Sequence, residues 1–122
     1  MAWPIIFCTE LLEELDGIDK LVKKVFLGHL MLLEQMGPML GRPHVDTLKG
    51  SVYSNMKELR FSAAEGIWRV AFAFDPSRSA VMLVAGDKMG VDQNRFYRSL
   101  IKRADERFVR HLMKGKDDVQ DT

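Results

Sequence analysis

Apolar residues recur at Leu11, Leu15, Ile18, Val22, Val25, Leu32 and Met36, with His29 completing a stripe of alternating four- and three-residue steps. That period predicts helix. Asp16-Gly17 interrupts the stripe, so two helices are expected, with Asp19 opening the second. Thr9 is the expected N-cap of the first, and Glu10, Glu13 and Glu14 suit the positive end of its dipole. The stripe is too short for a coiled coil and stops at Gly37-Pro38 and Gly41. Upstream, "WPIIFC" (residues 3–8) is short and partly β-branched, with Pro4 where an edge strand tolerates it.

The period then changes. Residues 41–55, "GRPHVDTLKGSVYSN", are expected to form a loop with modest apolar anchors. "MKELRF", "IWRVAFAF" and "SAVMLVAG" follow as strand-like runs separated by short polar or glycine-containing connections, the pattern of an antiparallel meander. The last element, "VDQNRFYRSLIKRADERFVRHLMKG", places Tyr97, Leu100, Ile101, Ala104, Phe108 and Leu112 on one helical stripe. Residues 115–122 are expected to fray. Strands grouped apart from helices predict an α+β fold in a single domain over 1–122.

The 122-residue chain is long enough for one core, and 47% hydrophobic with 29% charged residues is an ordinary globular balance. A net charge of +1 is uninformative, but its distribution is not. Residues 87–116 carry nine Lys and Arg against four acids, whereas residues 1–37 carry six acids and three lysines. A basic region able to meet an acidic partner is implied, although a solvated helix face explains the same counts. The single cysteine, Cys8, cannot form an internal disulfide. The amino terminus lacks the basic start of a signal peptide, and no apolar run approaches a membrane span, so a cytoplasmic location is expected.

Arg69 is the anomaly within this pattern. Along 67–74, Trp68, Val70, Phe72 and Phe74 share one face, expected to pack on the helical pair. Ile67, Arg69, Ala71 and Ala73 share the other, expected to stay open with a single cation rising among small residues. A guanidinium presents five donors in a planar fork suited to phosphate. Hairpin pairing would bring Arg60 onto the neighbouring strand, and Lys88 follows the last strand. Lys57 lies three residues from Arg60, so alternation turns the two to opposite faces. Surface pairing of these cations with Glu58 and Glu65 is the plainer explanation, and the residues alone leave both open.

Other chemistry is sparse. His29 is expected to pack, His44 and Asp46 lack further metal-ligand partners, and His111 sits on the basic helix. Cys8 has no local activator, the eight methionines read as core filler, and Ser51 and Ser54 lack a nucleophile context. No P-loop or dinucleotide fingerprint is present.

Taken together, "GRPHVDTLKGS", "MKELR", "WRVAFAFDP", "GDK" and "RFY" resemble the HigB-like, phage-derived-protein-like branch of the RelE/ParE toxin superfamily, over roughly Phe7 to Leu112. The resemblance implies a small antiparallel sheet carrying helices on one side. It implies a ribosome-dependent mRNA endonuclease working without metal or cofactor, in which a ribose 2′-OH attacks the adjacent phosphate. Its implied partners are the ribosome, mRNA and a cognate HigA-like helix-turn-helix antitoxin, with no membrane. In that setting Arg60 and Arg69 grip the scissile phosphate, Lys88 supports it, and Tyr97 stacks on a base or orients the nucleophile. Lys57 contacts RNA or serves as base, and Arg95 and Arg98 contact RNA.

Two departures from the family pattern stand out. No His or Glu is evident at the sheet for proton transfer, and Gly90-Val91-Asp92-Gln93 separates "GDK" from "RFY", a link expected to displace Tyr97. Two other readings keep the fold and change the function: a ParE-like inhibitor of DNA gyrase, and a catalytically silent module that binds a partner.

Overall fold

β1 (Ile5–Phe7) leads directly into α1 (Thr9–Leu15), and a short turn separates α1 from α2 (Lys20–Met36) in the computed structural model, which describes residues 2–120. β2 (Val45–Thr47), β3 (Lys57–Ala63), β4 (Gly66–Phe74) and β5 (Ala80–Asp87) follow, and α3 (Gln93–Gln120) closes the chain. The expected order of elements and the α+β class are therefore observed. The expected 41–55 loop contains one extra strand, because Val45 and Leu48 bury their side chains and draw the chain against β3. α3 continues to Gln120 through most of the stretch expected to fray, and residues 121–122 lie outside the described region.

The sheet order is β1-β5-β4-β3-β2. β2 to β5 pair antiparallel, but β1 runs parallel to β5, with Ile5 opposite Ala80 and Phe7 opposite Met82, so the sheet is mixed rather than antiparallel. No hairpin joins β1 to β5: α1 and α2 carry the chain from β1 to β2 at the opposite edge, and the β2–β5 meander brings β5 back beside β1 in the parallel sense.

The first helix begins one residue away from expectation. Cys8 occupies the cap position without a side-chain cap bond, and Thr9 is already helical. Cys8 instead donates its backbone N–H to the Met82 carbonyl at 3.0 Å, completing the β1–β5 ladder before the chain turns. Asp19 caps α2 as expected, accepting from the Leu21 N–H at 2.7 Å. At the other end of α2, Gly37 has φ 57°, and a Cβ there would meet the Trp3 indole at 2.4 Å. Only glycine serves that position.

Helices cover both faces of the sheet, which overturns the expected one-sided arrangement. Leu11, Val22, Phe26, Leu30 and Leu33 pack on Leu59, Phe61, Val70, Phe72 and Met82. On the opposite face, Phe96, Leu100, Ala104 and Phe108 of α3 pack on Ala71, Ala73, Val81, Leu83 and Val84. Ala71 and Ala73 are fully buried. Their small size does not leave an open platform around Arg69; it admits a helix. A bulge in β5 leaves Leu83 unpaired between Met82 and Val84, so Leu83 and Val84 both face α3. The freed Leu83 carbonyl accepts from Arg107 at 2.7 Å and from the Cys8 thiol at 3.3 Å.

Candidate functional site

β3 and β4 pair so that Arg60 lies directly opposite Arg69. Like charges in that position are destabilising by roughly 0.2–1 kcal/mol relative to a neutral pair. Glu58 sits two residues before Arg60, hence on the same face, which is the face covered further along by α3. Tyr97, in the first turn of α3, reaches down from the helix. Its hydroxyl donates to Glu58 Oε1 at 2.8 Å and accepts from Arg69 Nε at 3.3 Å. Arg69 Nε also lies 3.4 Å from Glu58 Oε1, and its Nη1 donates to the Trp68 carbonyl at 2.9 Å.

Arg69 and Glu58 are both buried, at 6% and 7% exposure. Arg69 therefore does not rise from an open face, and Glu58 is not a surface counter-ion. They form a buried ion pair in a place where removing one partner strands the other. Arg60 is more accessible, with its side chain 34% exposed, and is balanced by Asp46 at 3.7 Å. Asp46 also takes the Nε of Arg42 at 3.1 Å. The Thr47 N–H donated to its carboxylate, followed by these two arginines, holds the Asp46 carboxyl below its ordinary pKa.

Lys88 completes the cluster from the end of β5. Its Nζ lies 5.8 Å from the centre of the Tyr97 ring, within cation–π range. Burial first, then the positive charges of Arg69 and Arg60, pull its pKa below the usual lysine value, with Glu58 opposing them. Burial, and then the hydrogen bond to Glu58, push the Tyr97 hydroxyl above its ordinary pKa.

The 90–93 link does not displace Tyr97. Lys88 N–H donates to the Ile67 carbonyl at 2.8 Å, Gly90 turns the chain at φ 74°, and Asp92 accepts from Arg95 N–H at 3.0 Å as the helix cap. Gly86, opposite Arg69 on β5, lets the Phe96 ring come within 3.0 Å of where a Cβ would stand, so the first turn of α3 lies close to the sheet.

Of the residues singled out from sequence, Arg60, Arg69, Lys88 and Tyr97 converge here. Lys57 does not, because its register opposite Phe72 turns it to the other face. Arg95 and Arg98 are exposed on α3 near Tyr97. Glu58 was missed as a member of the site, although its i, i+2 spacing to Arg60 carried the signal. His29 packs edge-on against His44 with ring centres 5.3 Å apart, and Cys8 is held by burial as a thiol of raised pKa. Among the described residues no group of three or more His, Cys, Asp or Glu is placed to hold a metal ion. No helix among them is long and apolar enough to cross a membrane.

A cleft of about 540 Å³ lies at the other end of α3, lined by Cys8, Asp75, Ser79, Arg107, Arg110 and His111 among others. Two of its arginines pair within the fold, Arg107 with Glu14 at 2.6 Å and Arg110 with Glu10, His111 is hydrogen-bonded to Asp75 at 2.8 Å, and Lys114 lines the cleft beside them. A smaller cleft of about 400 Å³ opens beside Arg60 and Arg69. Three arginines, Arg42, Arg60 and Arg69, border the smaller one, against the carboxylates of Asp46 and Glu58.

Comparison with known proteins agrees with the fold. The chain is 44% identical over 104 residues to "Putative toxin HigB2" of Mycobacterium tuberculosis, an alignment covering 84% of this chain and 51% of that protein. It therefore spans about half the length of that relative. It is 50% identical over 80 residues to "Putative toxin HigB3" of the same organism, covering 66% of this chain and 68% of the relative. Its fold is similar to that of a mutant of E. coli toxin RelE in the free state, with a TM-score of 0.60 at 13% identity, covering 83% of this chain and 95% of the other. Residues 13–109 match the family described as "Phage derived protein Gp49-like", and to that family this chain belongs.

Proposed function

We propose that the protein is the toxin of a toxin–antitoxin pair and acts as a ribosome-dependent mRNA endonuclease. The observation that carries this reading is the directly opposed Arg60–Arg69 pair, joined by Lys88 and Tyr97 around a single buried carboxylate, Glu58. Glu58 and Asp46 each pair with one arginine, but with Lys88 beside them the three cations exceed the two carboxylates, which favours a further anion. A phosphodiester is such an anion, and arginine forks match its oxygens.

The chemistry then follows from the side chains. Arg60 and Arg69 stabilise the charge that grows on the non-bridging phosphate oxygens as the 2′-oxygen attacks, which is the role of preorganised donors in a partly dry site. Tyr97 takes the 2′-OH proton on its oxygen while passing its own to Glu58, to which it already donates. The bond from phosphorus to the 5′-oxygen breaks as the new bond to the 2′-oxygen forms. Lys88, its pKa lowered, gives a proton to the departing 5′-oxygen. The products are a 2′,3′-cyclic phosphate and a 5′-hydroxyl. An acidic antitoxin that covers Arg60 and the exposed Arg95 and Arg98 blocks access by RNA.

The test is the purified protein mixed with ribosomes programmed with a defined mRNA. A cut within the translated region, ending in a cyclic phosphate, is the expected result. Intact mRNA under these conditions contradicts the nuclease. Intact mRNA together with inhibited supercoiling by DNA gyrase transfers the function to that target.

A further inference from the structure

We propose that the 400 Å³ cleft beside the arginine pair is a base subsite, taking the nucleobase next to the phosphate that Arg60 and Arg69 hold. The inference rests on the reading of that pair as a phosphate site and extends it to the neighbouring nucleoside.

Register supplies the first argument. The next pair outward from Arg60–Arg69 on the same face is Ser62 opposite Ile67. Two residues along a strand advance about 7 Å. The cleft floor thus changes within one nucleotide's reach from two guanidiniums to a hydroxyl and an apolar side chain. A bare phosphate has no use for Ile67. A base does, because it offers an apolar face to pack and polar edges to hydrogen-bond.

The rim supplies the second argument. Arg42 and Pro43 border the cleft on a turn anchored to β3. His44 N–H and Val45 N–H both donate to the Gly41 carbonyl at 3.1 Å, and Arg60 N–H donates to the His44 carbonyl at 2.8 Å. Asp46 fixes Arg42 through Nε, yet the Arg42 side chain remains 74% exposed. Its guanidinium plane is oriented by one edge and open to stacking, a common platform for unpaired bases. A single carboxylate, Asp46, touches both Arg42 and Arg60, so the stacking group and the phosphate group are held in one frame.

The experiment is calorimetric titration of the full chain with each of the four nucleoside 3′-monophosphates and with inorganic phosphate. At least one nucleotide binds about tenfold or more tightly than phosphate, the increment that stacking one base supplies. Ile67→Trp, which fills the cleft, removes that preference and leaves phosphate binding in place. Arg42→Ala, an exposed and therefore fold-neutral change, reduces the preference as well. A nucleotide that binds no better than phosphate overturns the base subsite alone, as does a preference that survives both variants. A protein that binds neither phosphate nor nucleotide overturns the subsite and the phosphate reading together.

Discussion

The two ends of α3 each bring cations to a cleft, and they differ in how the charge is balanced. At the carboxyl-terminal end each of Arg107, Arg110 and His111 meets its own acid, Glu14, Glu10 and Asp75. At the amino-terminal end Arg60, Arg69 and Lys88 crowd together, with Glu58 buried beneath them and Asp46 at the edge. The first end is a clasp that ties α1 and the β4–β5 loop to α3. At the second, three cations meet two carboxylates, and on the proposed reading an incoming anion supplies the remainder. On the proposed reading cleft size is not the guide, since the clasp has the larger one. Charge surplus is the better guide to function.

The sharpest way to break this comparison is to remove one arginine from each end. Arg69→Ala strands the buried Glu58 and is expected to destabilise the protein by about 3–5 kcal/mol, with loss of activity. Adding Glu58→Gln recovers a substantial part of the stability and none of the activity, as denaturant unfolding and cleavage assays would report. Arg107→Ala leaves the Leu83 carbonyl with only the Cys8 thiol as donor, removes the pairing to Glu14, and costs about 1–3 kcal/mol. Its cleavage rate per folded molecule stays at the wild-type value.

Arg60→Ala separates function from stability more cleanly. Its partner Asp46 is at the surface and the change relieves like-charge repulsion, so stability moves by less than about 1 kcal/mol. Single-turnover cleavage falls by about 10²–10³-fold, the usual loss for one donor aimed at developing charge.

Tyr97→Phe removes only the hydroxyl, and cleavage is expected to fall by about 10²-fold. It also has a pH signature. The Tyr97 pKa is raised on folding from its ordinary value of 10.0, by burial and then by donation to Glu58. A raised folded pKa contributes stability that is complete below the unfolded value and is lost as pH climbs through the folded one. Wild type therefore loses stability more steeply than Tyr97→Phe above about pH 10. Equal slopes for the two proteins would contradict the arrangement around Glu58.

The smallest effect concerns the β3–β4 turn that sets the register of the arginine pair. Ala64 and Glu65 have φ of 49° and 66°, values suited to Asn-Gly rather than to these residues. Glu65→Gly is expected to raise stability by about 0.5–1 kcal/mol with cleavage unchanged, which thermal unfolding would measure.

Much of this was legible from spacing alone. The helical stripe from Leu11 to Met36, the alternation on β4 and the hairpin between Arg60 and Arg69 are local patterns, and local patterns carry their own period. What escaped were relations between distant segments. Ala71 and Ala73 looked like an empty face because nothing local says that Leu100 and Phe108 arrive to cover them. Glu58 looked like a surface acid because its burial depends on Tyr97, 39 residues later. The parallel β1–β5 pairing likewise depends on where α1 and α2 return the chain.

The measurement that bears most directly on the central claim is primer extension on cellular mRNA after brief induction of matched variants from the two ends. Wild type and Arg110→Ala should both produce discrete cuts within translated regions, and Arg60→Ala should produce none while remaining folded. Cuts by Arg60→Ala at the wild-type level, or their loss in folded Arg110→Ala, would contradict the assignment of function to the charge-surplus end.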